Sequence, residues 1–96
     1  MKLLDIKPST KTDKKFMATF ESDKGRKKTT HFGAKGMDDY TLTHNKEQRD
    51  RYRTRHAKDL TTNDPSKAGF LSYYILWGNS IYMKTNIESY KKQFNL

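Results

Sequence analysis

The sequence contains no cysteine and only two prolines, and it has a single long apolar run, Asp64 to Gly78, read as DPSKAGFLSYYILWG. Without cysteine there is no disulfide framework, no Cys-containing zinc site and no thiol nucleophile, and the composition suits a reducing compartment. Apolar residues nowhere continue for the eighteen or so positions that a spanning helix needs, and no secretory signal pattern opens the sequence, so neither a membrane span nor a leader is expected. The Walker loop, the nucleophile elbow and the helical HExxH pattern are also missing, which removes the enzyme classes that depend on them. Hydrophobic residues make up 32% of the 96 positions, and the mean hydropathy is −1.11. A chain this short buries roughly two-thirds of its unfolded surface, so one small domain over 1–96 with one small core is expected. Acid is scarce relative to base: eleven Asp and Glu stand against twenty Lys and Arg, for a net charge of +9. That excess points to a polyanionic partner, nucleic acid first and an anionic surface second.

The apolar run is the part most able to nucleate a core. Asp64 suits an N-cap, Pro65 the first helical position and Gly78 a left-handed stop, while Phe70, Tyr73, Tyr74 and Trp77 recur at helical spacing; a helix over 64–78 is predicted. Upstream, KLLDI (2–6) ends at the turn signal Lys7-Pro8-Ser9. KKFMATFES follows, with Phe16, Ala18 and Phe20 alternating as in a half-buried strand, and the turn Asp23-Lys24-Gly25-Arg26 leads into RKKTTHF. These segments predict a β-meander over 1–33, one face of which (Phe16, Ala18, Phe20, Phe32) needs the central helix as cover. The part from 43 to 96 is read as helical. Thr43 caps a helix from about Asn45 to Lys58, Thr61-Thr62-Asn63 is a link, residues 79–84 are irregular or a short strand, and Thr85 to Glu88 is a capping box for a last helix through Phe94. Met37 to Thr41 yields no definite conformation. The fold class is therefore α+β, a three-stranded antiparallel meander packed on two or three C-terminal helices.

Charge is unevenly placed. Residues 1–37 carry ten Lys or Arg against four acids, whereas residues 38–62 carry six against five. The candidate nucleic-acid-binding residues are accordingly Lys24, Arg26, Lys27 and Lys28 at the hairpin, with Lys11, Lys14 and Lys15 leading into the preceding strand, and Lys35 inside the Gly33 to Gly36 loop. Arg51, Arg55 and Lys58 form a second surface. Lysine at this density releases counterions from phosphate backbones; its competing use is to solvate an edge strand. Arg49 and Arg53 share a helix face with Tyr52 and His56, and are read as pairing in the interior with Asp38, Asp39 or Asp59, or else as phosphate contacts. Glu47 is an i,i+4 partner for Arg51. A helix-turn-helix is disfavoured because the Leu60 to Asp64 connection lacks a glycine turn.

The runs HFGAKGMDDYT (31–41), RYRTRHAKDL (51–60) and NDPSKAGFLSYYILWG (63–78) resemble a family of small basic proteins encoded by large nucleocytoplasmic DNA viruses. The similarity covers about the C-terminal two-thirds and leaves out the lysine-rich N-terminal third. It implies a viral origin and a setting in the infected host cell, cytoplasm or nucleus, or in the virion, and it carries over no catalytic residue.

The aromatic cluster Phe70, Tyr73, Tyr74 and Trp77 is read as core rather than as a base-stacking platform, with Tyr40 and Tyr82 the more accessible stacking rings. His31, His44 and His56 with Asp38, Asp39 and Asp59 are the groups available for a metal-assisted phosphodiester cleavage. Their spacing fits no ligand pattern, and capping or surface roles are expected instead, with no metal, cofactor or enzyme activity assigned. The expected function is non-catalytic binding of nucleic acid, DNA first, through charge neutralisation. The alternative is a structural virion or scaffold protein that meets an acidic viral or host protein or a membrane surface.

Overall fold

A computed structural model, describing residues 1–96, has the strand order β1 (Lys2–Pro8), β2 (Lys14–Glu21), β3 (Lys27–Ala34), all antiparallel. In register, Leu3 pairs with Phe20, Ile6 with Ala18, and Phe16 with Phe32. The alternation of strand side chains thus gathers Leu3, Ala18, Phe20 and Phe32 on one buried face, as the sequence periodicity requires. The first strand runs two residues into the expected turn, to Pro8, an edge position where the missing N–H costs no ladder bond.

Helices follow the sheet: α1 (Tyr40–Thr43), α2 (Lys46–His56), α3 (Ala68–Leu71) and α4 (Met83–Gln93). A 3₁₀ segment, Ala57–Thr62, continues α2, and a π-helical segment, Ser72–Leu76, continues α3. Phe70, Leu71, Ile75, Leu76 and Trp77 from this stretch, with Tyr90 from α4, close over the sheet face to form one cluster. The meander is therefore covered by the predicted part of the chain. No helix is long and apolar enough to cross a membrane.

Helix boundaries differ from expectation, each for a visible reason. Asp64 does not cap the central helix; its carboxylate accepts from the Ser66 backbone N–H at 2.9 Å and the Ser66 hydroxyl at 2.6 Å, closing a local turn. The Pro65 carbonyl accepts from the Tyr90 hydroxyl, and the Ser66 carbonyl accepts from Thr30 Oγ1 at 2.7 Å. These two carbonyls tie the segment to α4 and β3, so the helical ladder begins only at Ala68. Gly78 does not take a left-handed conformation: the positive-φ glycines are Gly25, Gly33 and Gly36. It is required by proximity instead, since a Cβ there would lie 2.2 Å from the Tyr74 carbonyl oxygen and 2.8 Å from Asn86 Cγ.

Asn45, not Thr43, caps α2, accepting from the Gln48 N–H at 3.0 Å, while Thr43 ends the short α1 that Asp39 caps. The expected Thr85 capping box is replaced by an earlier start at Met83. Asn86 is buried; it donates to the Ile75 and Ser80 carbonyls at 3.0 and 2.8 Å and accepts from the Ser80 N–H at 3.0 Å. One amide thus satisfies the irregular chain between the π segment and α4.

Candidate nucleic-acid interface

The candidate cations sort by their place on the fold. At the hairpin, Lys24, Arg26 and Lys27 are exposed and have no carboxylate within ion-pair distance. Lys28 belongs to the other face of β3, and its ammonium donates to Ser66 Oγ at 3.0 Å beside the Asp64 turn. That contact makes Lys28 part of the sheet-to-helix junction rather than of the free cluster. The Asp64 carboxyl is held below the ordinary aspartate range chiefly by its two bonds from Ser66, against a small opposing effect of burial, with Lys28 and Lys67 adding to the lowering.

Lys11, Lys14 and Lys35 lie at the opposite end of the sheet. Lys14 pairs with Ala34 in register, and the Lys35 N–H donates to the Asp13 carbonyl at 3.0 Å. Strand β2 is eight residues long, so its ends stand about 24 Å apart at roughly 3.4 Å per residue. The single basic patch expected from sequence proximity is therefore two patches, one at each end of the strand. Lys15 belongs to neither. Its ammonium lies 2.6 Å from Asp39 Oδ2, with 12% of the Lys15 side chain and 3% of the Asp39 side chain exposed, and Asp39 Oδ1 accepts from the Thr41 N–H at 2.9 Å. A lysine held this way neutralises a buried helix cap and is withdrawn from any external partner.

Arg51 and Arg55 project from α2 into solvent as expected, one helical turn apart, while Lys58 sits on the 3₁₀ segment beyond it. Glu47 forms no ion pair with Arg51. Arg49 and Arg53 turn inward, but not toward Asp38, Asp39 or Asp59. Arg49 pairs with Asp50 at 3.1 Å, reaches the Gly78 carbonyl at 3.4 Å and lies over Tyr40, 5.0 Å from the ring centre. Arg53 donates to Asn79 Oδ1 at 3.0 Å and lies 4.7 Å over Tyr73. These two arginines dock α2 onto the chain after the π segment through carbonyl, amide and aromatic contacts, the one carboxylate that Arg49 meets, Asp50, being on α2 itself.

A groove of about 320 Å³ separates α2 from the sheet end. Gly33, Ala34, Met37 and Asp38 form one wall, and Gln48, Tyr52, Arg55 and His56 form the other, above Leu76 and Trp77. Gly33 has φ +78°, and a Cβ on it would come 2.8 Å from Leu76 Cδ1, so this glycine serves the packing of the groove floor. Lys35 remains exposed beside it. Burial, with a smaller contribution from the Asp59 charge, pushes the Tyr52 phenol above its ordinary value.

The histidines are dispersed. His31 Nδ1 lies 2.7 Å from Ser9 Oγ, His56 Nδ1 lies 3.0 Å from Asp59 Oδ2, and His44 occupies the left-handed C-cap of α1. No three His, Asp or Glu side chains come together at metal-ligand spacing.

The family of unknown function DUF5754 matches residues 4–56, more than half of the chain. The chain belongs to this family. The DUF5754 match takes in β1 from Leu4 on, all of β2 and β3, α1 and α2, and with them both basic ends and both walls of the groove, but not its floor. It includes the lysine-rich N-terminal third that the viral resemblance left out, and it stops before the Asn63 to Gly78 run. No curated protein and no solved structure matches the chain significantly.

The groove and its aromatic wall were absent from the sequence reading, which placed Tyr52 and His56 only as neighbours of Arg49 and Arg53. Their i,i+4 spacing on α2 is the signal that brings the two rings together. Trp77 joins them from an element far away in sequence, and no local pattern encodes that contact.

Proposed function

We propose that the protein is a non-catalytic nucleic-acid-binding protein that acts through exposed cations with little reading of base sequence. The observation that carries this reading is the state of its charges: of twenty Lys and Arg side chains, only Lys15 and Arg49 lie within 4.0 Å of a carboxylate. The hairpin group and the groove-end group, with Arg51 and Arg55 beside the latter, are left for an external anion. Their separation favours a polymer, because a phosphate chain engages both ends at once where a small anion meets one. In the setting that the viral resemblance implies, such binding would serve genome packaging or condensation, with DNA as the first polymer to test.

Reversing Lys24, Arg26 and Lys27 to Glu tests the reading directly. The triple variant should fold as the native protein does and should lose at least tenfold in affinity for a labelled oligonucleotide at fixed salt. Native affinity in a folded triple variant would remove the hairpin from the interface. Binding to acidic protein or anionic vesicles with no binding to any nucleic acid would replace the proposal by a structural role.

A further inference from the structure

The groove is lined by a stack of three rings. Trp77 and Tyr52 stack with centroids 4.3 Å apart and planes 9° from parallel, and Tyr52 and His56 continue the stack at 4.1 Å and 24°. Trp77 at one end is buried, Tyr52 and His56 are both half-buried, and no further ring stacks on His56, whose side chain is 37% exposed. His56 is thus the terminal layer, and it lines the groove. Its plane is set by the 3.0 Å contact of Nδ1 with Asp59, and Asp59 is itself packed over Gly69, where a Cβ would come within 3.0 Å of its own Cβ.

The surroundings suit one nucleotide. Arg55 stands exposed on the same wall and Arg51 one turn back, while Met37 and Ala34 supply apolar surface opposite. Of the two acids in the groove, Asp39 is neutralised by Lys15, which leaves the exposed Asp38 against Arg55 and the neighbouring Arg51 and Lys35. The volume lies at the small end of the range for ligand sites, roughly 300–1,000 Å³. A duplex presents phosphates to these arginines but keeps its base faces stacked, whereas a single strand can offer a free face to a protein ring.

We propose that the polymer is single-stranded, with one unpaired base stacking on His56 as the next layer of the Trp77, Tyr52 and His56 column while Arg55 and Arg51 hold the flanking phosphates. This inference rests on the nucleic-acid reading above and narrows it to a strand type and a site. Sequence preference remains low, since every base has a stacking face.

The test compares a labelled single-stranded oligonucleotide with the duplex of the same sequence, using the native chain, His56→Ala and His56→Phe, with Trp77 fluorescence followed in parallel. The native chain should bind the single strand more tightly and show saturable Trp77 quenching with it alone. His56→Ala should lose about tenfold on the single strand, within the range for removal of a stacking ring, with duplex affinity unchanged. His56→Phe should restore the preference, which a purely structural role for the Asp59 contact would not allow. Equal native affinity for both polymers, or an equal loss on both in His56→Ala, overturns the single-strand site while the charge-neutralisation reading stands. Failure to bind either polymer near physiological salt overturns both.

Discussion

At the hairpin end of the sheet, Lys24, Arg26 and Lys27 stand in solvent without a carboxylate partner, while at the groove end Lys15, on the same strand pair, is sunk against Asp39. Lys27 and Lys15 are the same residue type on paired strands, yet the energetic roles are opposite. An exposed lysine contributes little to folding and keeps its charge for a partner. A buried one compensates a charge that would otherwise be stranded in the interior. Lys28 lies between these cases, reaching Ser66 at the junction with α3. On the proposed reading, binding and stability fall to different cations of one basic sheet, and substitutions should separate them.

The largest effect is expected away from the lysines, at the ring that closes the core. Trp77→Ala should cost about 3–5 kcal/mol in a urea or thermal unfolding experiment, a large part of the stability of a domain whose total is about 5–15 kcal/mol. A variant of native stability that had lost only binding would show Trp77 to be a platform rather than core. Next comes Lys15→Met, which strands Asp39 and should cost about 3 kcal/mol. The same change at Lys27 should stay within about 0.5 kcal/mol of native, as surface substitutions do. Equal costs at the two positions would erase the contrast between the two ends of the sheet.

Binding should respond in the reverse order. With Lys24, Arg26 and Lys27 reversed, the slope of log K against log salt should shrink by roughly two to three, at about 0.7 per lost phosphate contact on a single strand or about 0.9 on a duplex, with no change in the unfolding midpoint. A smaller effect concerns acid. Asp64 is held below the ordinary aspartate value, so its ionised form stabilises the fold above its unfolded pKa of about 3.8, and that contribution is lost as pH falls through the lower folded value. The urea midpoint of the native chain should therefore fall between pH 5 and pH 2 by more than that of Asp64→Asn. Parallel curves would show that the Ser66 turn carries no linked stability.

Much of the fold was legible because it is written in local periodicity. Phe16, Ala18 and Phe20 alternate as a strand must, and Gly25 supplies the positive φ of the hairpin turn. The helix ends were misread where polar groups are claimed from a distance. Ser66 looks helical until Thr30 takes its carbonyl, and Asn86 looks like part of a cap until the Ile75 and Ser80 carbonyls take its amide. The basic surface was legible as charge but not as geometry, since lysines close in sequence to the hairpin lie a strand length away from it. Lys15 cannot be told from Lys14 by composition; only the position of Asp39 after the Gly36 turn separates them. The Trp77, Tyr52 and His56 column joins two helical segments through a tertiary contact, beyond the reach of any spacing rule.

The most direct measurement is fluorescence anisotropy of labelled nucleic acid with the purified protein across a salt series. Submicromolar affinity near physiological salt, with a log–log slope implying several neutralised phosphates at about 0.9 each for duplex or about 0.7 for single strand, is the predicted result. Weak binding that vanishes before physiological salt is reached would contradict the account and assign the +9 charge to a protein or particle surface.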